Sequence, residues 1–122
     1  MRLTIAADKV SKQRVLLNAI RDQKELEPVE VTFSLGTVSI DCDSKSEARI
    51  KDALSYVDTV TWVLADNTSL DMDNAQLQEL YEAMLVARGS RSLSLHTYTT
   101  GLKATLPVDD SSDIFDAALW DL

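Results

Sequence analysis

Val31-Thr32-Phe33-Ser34-Leu35-Gly36-Thr37-Val38-Ser39-Ile40-Asp41-Cys42-Asp43 reads as two short strands around a turn, running into the start of a helix. Val31 and Phe33 alternate with Thr32 and Ser34, Leu35-Gly36 supplies the turn, and Val38 and Ile40 resume the alternation. Ser44-Lys45-Ser46-Glu47 then fits a capping box, with Ser44 as N-cap and Glu47 reaching back to it. The helix that follows turns Ile50, Ala53, Leu54 and Val57 to one side.

The unit then recurs. Val60-Thr61-Trp62 answers Val31-Thr32-Phe33 at a spacing of 29 residues, and Ser69-Leu70-Asp71-Met72-Asp73 answers Ser39-Ile40-Asp41-Cys42-Asp43 at 30. The extra residue falls in the turn, where Asp66-Asn67 replaces Gly36. Each copy predicts strand, turn, strand, aspartate cap and helix. A single hairpin is marginal in water. The fold expected is therefore α+β, with two ββα units forming one four-stranded antiparallel sheet and helices on one face. Phe33 and Trp62 hold matching positions, and both should face the helices.

Working outward, residues 2–6 alternate weakly and predict a short strand or extended arm with Leu3 and Ile5 on one side. A preceding N-terminal helix runs from about Asp8 to Leu26 on the stripe Val10, Leu17 and Ile20, widened by Leu16. Pro28 ends it by forcing Glu27 into extended geometry. After Asp73 a long C-terminal helix is predicted over 74–104, with Leu77, Leu80, Met84, Ala87, Arg91, Leu95, Tyr98 and Leu102 at steps of three and four. Such a helix spans roughly 45 Å. Gly89-Ser90 is its weak point, and a continuous or kinked helix is preferred over two. Residues 1–106 thus form a single α+β domain, with the arm and first helix in 1–27 and the duplicated unit in 28–106. Residues 107–122 form an acidic C-terminal docking tail in which Ile114, Phe115, Leu119 and Trp120 meet a partner subunit, with Leu95, Tyr98 and Leu102 of the long helix as the next contact set; the alternative is that this segment folds back on the chain's own core.

The 122 residues suit one domain, and the net charge of -8 argues against general phosphate binding. The charge is uneven: residues 1–24 carry six basic and two acidic groups, whereas 105–122 carry five aspartates and no lysine or arginine. A basic arm and an acidic tail on one chain invite head-to-tail contact, within or between subunits; the plainer alternative is that both are solvated ends. The opening Met-Arg-Leu-Thr-Ile-Ala-Ala reaches Asp8 before any long apolar run, so neither a signal peptide nor a membrane span is expected.

No chemistry stands out. His96 is the sole histidine, and Ser92 and Ser94 are not at helix-neighbour spacing from it, so no triad is read there. Cys42, the one cysteine, matches Met72 in the second copy and reads as an apolar structural residue. Asp41/Asp43 and Asp71/Asp73 precede helices and read as caps rather than as a calcium loop, which would need a glycine and a glutamate at set positions. No cofactor, no metal and no nucleic-acid partner is expected, and an enzyme is not.

Several segments resemble, in order and spacing, a bacteriophage family classed as a domain of unknown function, found in tail proteins and often at the end of fibre chains. They are Ile20-Arg21-Asp22-Gln23-Lys24-Glu25, Val29-Glu30-Val31, Ser39-Ile40-Asp41-Cys42-Asp43, Arg49, Val60-Thr61-Trp62, Ala65-Asp66-Asn67-Thr68, Leu70, Gln76-Leu77-Gln78 and Val86-Ala87. The resemblance covers about residues 14–106 and carries no activity. It implies a structural or connecting protein of the tail, at the fibre or baseplate. Such a protein is made in the host cytoplasm, resides in the virion and binds other tail subunits or copies of itself. The alternative is a tail-fibre assembly chaperone. An acidic DNA mimic ranks below both, because the basic N-terminal segment interrupts a continuous negative face.

Overall fold

The computed structural model describes residues 2–120. Helix α1 spans Arg2–Glu25, and two hairpins follow: β1 (Val29–Phe33) with β2 (Gly36–Ile40), and β3 (Thr59–Val63) with β4 (Ser69–Asp73). Helix α2 (Ser44–Tyr56) lies between the hairpins in sequence, and helix α3 (Asn74–Lys103) follows the second. Two short 3-10 turns, Asp113–Phe115 and Ala117–Leu119, close the chain. The architecture is α+β with two two-stranded antiparallel sheets.

Contacts divide the chain into two compact units. One holds Leu26–Ser90, and the other holds the residues up to Glu25 together with those from Arg91 onward. The sequence boundary at 106/107 is not where this grouping falls.

In the unit Leu26–Ser90, both hairpins form with the predicted elements in the predicted order. The first closes on Ser34-Leu35, since Phe33 pairs with Gly36. Gly36 thus opens β2 rather than sitting within the turn, and its φ of 116° is a value that favours a residue without Cβ. The second hairpin needs the longer loop Leu64–Thr68, in which Asn67 takes φ 67° and Asp66 accepts from the Thr68 backbone N–H at 3.0 Å. The two copies differ in register. Val31 faces Val38, but its counterpart Val60 faces Met72. The expected single four-stranded sheet gives way to two separate pairs. The edge of β2 meets the loop of the second hairpin rather than a strand, with Ala65 N–H donating to Ser39 O at 3.0 Å.

The core of this unit joins Val29, Val31, Ile40, Cys42, Ile50 and Met72 to Leu77, Leu80 and Met84 of α3. Phe33 and Trp62 pack against that cluster, both partly buried, as their alternation required. The helix starts are set by aspartates. Asp43, not Ser44, is the N-cap of α2 and accepts from Ser46 N–H at 2.8 Å. Asp73 does the same for Gln76 N–H at 2.8 Å, and the Gln76 amide oxygen returns the bond by accepting from Asp73 N–H at 3.0 Å. The capping box thus forms on the second copy, one residue earlier than read on the first. Asn74 links the helices by donating from Nδ2 to Leu54 O (2.9 Å) and Val57 O (3.1 Å), two carbonyls at the end of α2.

In the other unit, α1 is helical from Arg2, so the strand expected over 2–6 is replaced by helix. The reason is local: neither glycine nor proline occurs before Pro28. The facing of Leu3 and Ile5 lies outside the described residues. Leu17 of α1 and Leu95 of α3 are fully buried together with Trp120, flanked by Ile20, Tyr98, Leu102, Leu106, Ile114 and Phe115.

Helix α3 runs unbroken through Gly89-Ser90. A Cβ built on Gly89 meets nothing within 4 Å. Gly89→Ala is therefore expected to stabilise the protein by up to about 1 kcal/mol, the helix-propensity difference, read as a rise in the denaturation midpoint.

Candidate functional site

Among the described residues, three arrangements that bring polar or accessible groups together bear on function, and each lies within one compact unit. The first is centred on Glu47. Its carboxylate meets the Arg88 guanidinium at 2.8 Å, accepts from the Tyr81 hydroxyl at 3.2 Å and lies 3.5 Å from Lys51 Nζ. Arg88 also donates to Cys42 O at 3.2 Å. The bond from Arg88 and its positive charge hold the Glu47 pKa at about 2, down from 4.5. Glu47 was expected to complete a cap; one turn into the helix it joins α2 to α3 instead. The Cys42 thiol is buried and donates to Glu27 O at 3.2 Å, which suits the structural role read for it.

The second arrangement is a groove of about 530 Å³ between β1 and α3. Val31, Phe33, Ala83, Val86 and Ala87 supply its apolar lining, and Glu30, Glu79 and Glu82 its carboxylates. Glu79 also accepts from Ser34 N–H at 3.3 Å. Sequence reading passed over this groove. The signal was present in Glu79, Glu82 and Val86, which follow one another at steps of three and four along α3, but nothing local tells that β1 lies alongside them.

The third arrangement is the packing of the chain end. Trp120 is 6% exposed, donates from Nε1 to Ile114 O at 2.7 Å and sits with its ring centroid 5.1 Å from that of Tyr98. Ile114 and Phe115 pack beside it. Gln13 is buried to 1% exposure and clamps the segment after Pro107, donating to Val108 O and Asp110 Oδ1, each at 2.8 Å, and accepting from Val108 N–H at 3.1 Å. Of the residues expected to meet a partner, Leu95 and Trp120 are therefore core residues, and Tyr98, Leu102, Ile114 and Phe115 are partly covered by the same cluster. Leu119 alone of the set stays well exposed, at 55%. The docking-peptide pattern and a fold-back pattern are the same amphipathic pattern; burial against Leu17 decides between them. Gln13 was legible only as a polar residue between Val10 and Leu17 on the apolar stripe of α1.

His96 lies on the surface with Nε2 3.8 Å from Glu25 Oε1. Asp71 accepts from the Thr61 hydroxyl at 2.6 Å, while Asp43 and Asp73 are the caps described above. Among the described residues no group of three or more histidine, cysteine or carboxylate side chains is placed to hold a metal, and no helix is long and apolar enough to cross a membrane.

Two hairpins set against helices, with capped helix starts and an enclosed C-terminal tryptophan, define a small α+β protein. Residues 8–118 match the family described as Domain of unknown function (DUF4376), and the chain belongs to that family. No curated protein and no solved structure matches it.

Glu47→Gln is expected to cost about 1–2 kcal/mol at neutral pH, the partial exposure of the pair keeping the figure modest. Because the folded-state pKa lies below 4.5, the contribution is complete above about pH 4.5 and disappears as pH falls toward 2. Melting temperatures of the two proteins should converge across that interval. In the other unit, Gln13→Ala should cost about 1–3 kcal/mol, because Val108 loses partners for both its N–H and its C=O. Chemical denaturation measures this loss.

Proposed function

We propose that the chain is a structural or connecting component of a bacteriophage tail, at the fibre or baseplate, and that it works by protein–protein contact. The reading rests on the ordered resemblance to tail-protein segments over about residues 14–106. Its fullest piece, Ala65-Asp66-Asn67-Thr68, has a physical reason to be what it is. It forms the loop of the second hairpin, where Asn67 takes a left-handed backbone and Asp66 accepts from both the N–H and the hydroxyl of Thr68. Partners are other tail subunits or further copies of this chain. Of the apolar residues Ile114, Phe115, Leu119 and Trp120, Leu119 is the one well exposed to them, since Trp120 is buried and Ile114 and Phe115 are partly covered.

Mass spectrometry of purified particles tests this reading. The protein is expected as a stable virion component, lost with the tail when tails are removed. Absence from particles, combined with a requirement for fibre attachment, would replace it with the assembly-chaperone reading.

A further inference from the structure

Strand β1 has one edge paired and one edge open. Phe33 and Gly36 flank a two-residue turn, which makes them a hydrogen-bonded pair. Val31 and Val29, two and four residues back, share that character and turn their peptide groups toward β2. Glu30 and Thr32 then turn theirs the other way. The same alternation is visible on the opposite strand, where Ser39, the partner of Glu30, sends its carbonyl outward to Ala65 N–H. On the β1 side, among the described residues, the outward peptide groups of Glu30 and Thr32 meet no backbone partner. An open edge of this kind is a template for another strand.

The groove lies along this edge. Its floor includes Val86, 70% exposed although apolar, and its lining residues include three carboxylates and no basic side chain. We infer that β1 receives an extended segment of a partner protein, a strand in which lysine or arginine alternates with aliphatic residues. Backbone bonds to Glu30 and Thr32 supply the pairing, aliphatic side chains cover Val86 and Ala83, and basic side chains meet Glu30, Glu79 and Glu82. Charge also disfavours a second copy pairing β1 with β1, because that would bring together two grooves lined by Glu30, Glu79 and Glu82 with no basic side chain between them. The inference rests on the reading that the chain acts through protein contacts, and it supplies the surface and the chemistry of the partner.

A capped heptapeptide alternating lysine and valine is the probe, titrated into the full chain. The controls are its diastereomer with D-valine, which keeps charge and composition but forms no regular strand, and its counterpart with glutamate for lysine. The all-L basic peptide should bind and slow hydrogen exchange at the amides of Glu30 and Thr32. Thr32→Pro removes an outward N–H while sparing the backbone bonds to β2, with Thr32→Val as the control for the lost hydroxyl contact to Thr37 (2.8 Å), and Val86→Arg places a like charge in the groove; Thr32→Pro and Val86→Arg should each weaken binding roughly tenfold or more, and Thr32→Val should not. The exposed pair Glu30→Lys/Glu82→Lys should reverse the preference toward the glutamate peptide, which a folding defect would not do. Equal binding of the diastereomer, or no effect of either single variant in folded protein, would overturn the inference and leave only general attraction to an acidic surface. Failure here with the protein present in virions leaves the tail reading intact; binding here with the protein absent from particles and unneeded for assembly removes that reading alone.

Discussion

Burial of the apolar face of α3 is the constraint on which the unit Leu26–Ser90 depends. Neither hairpin has more than two strands, and such a pair is marginal in water by itself. Leu77, Leu80 and Met84 are completely buried and give both hairpins a common surface to cover. Each such side chain contributes on the order of 1.5–3 kcal/mol when removed from water. The hairpins are held by what lies beneath them, with a backbone bond from Ala65 to Ser39 between them. Freed from the need to align as one sheet, the two copies keep the same order of elements while differing in register.

Polar groups complete this arrangement rather than drive it. Asp43 and Asp73 satisfy N–H groups at the helix starts, and Asn74 satisfies carbonyls at the end of α2. Gln13 does the corresponding work for the chain end, where a buried amide meets both polar groups of Val108. A buried donor or acceptor left alone costs more than a formed bond contributes. These few side chains therefore fix geometry out of proportion to their number. Tail attachment follows the same logic: hydrophobic burial of Trp120 supplies the driving force, and Gln13 fixes where the segment lies.

The polar chemistry near α2 and α3 is structural in its wiring. Glu47, Arg88, Tyr81 and the Cys42 carbonyl satisfy one another. What faces outward is an open strand edge beside exposed aliphatic groups, which suits contact with another chain. The family's own description is silent on activity.

The sequence by itself determined the elements. Period-two alternation marked both hairpins, three- and four-residue spacing marked α2 and α3, and the two Asp-x-Asp segments marked the helix starts, because these signals act between residues close along the chain. It missed the helix over 2–6, where a short alternation and a helical stretch look alike. Only the tertiary structure decided how these pieces combine. Whether two hairpins pair or stand apart depends on which edge meets a loop, and whether Ile114 and Trp120 dock outward or inward depends on Leu17 and Leu95, about a hundred positions away in the first case. Amphipathic patterns state that a face must be covered and not by what; the covering surface is assembled from residues distant in sequence, so it exists only once the chain has folded.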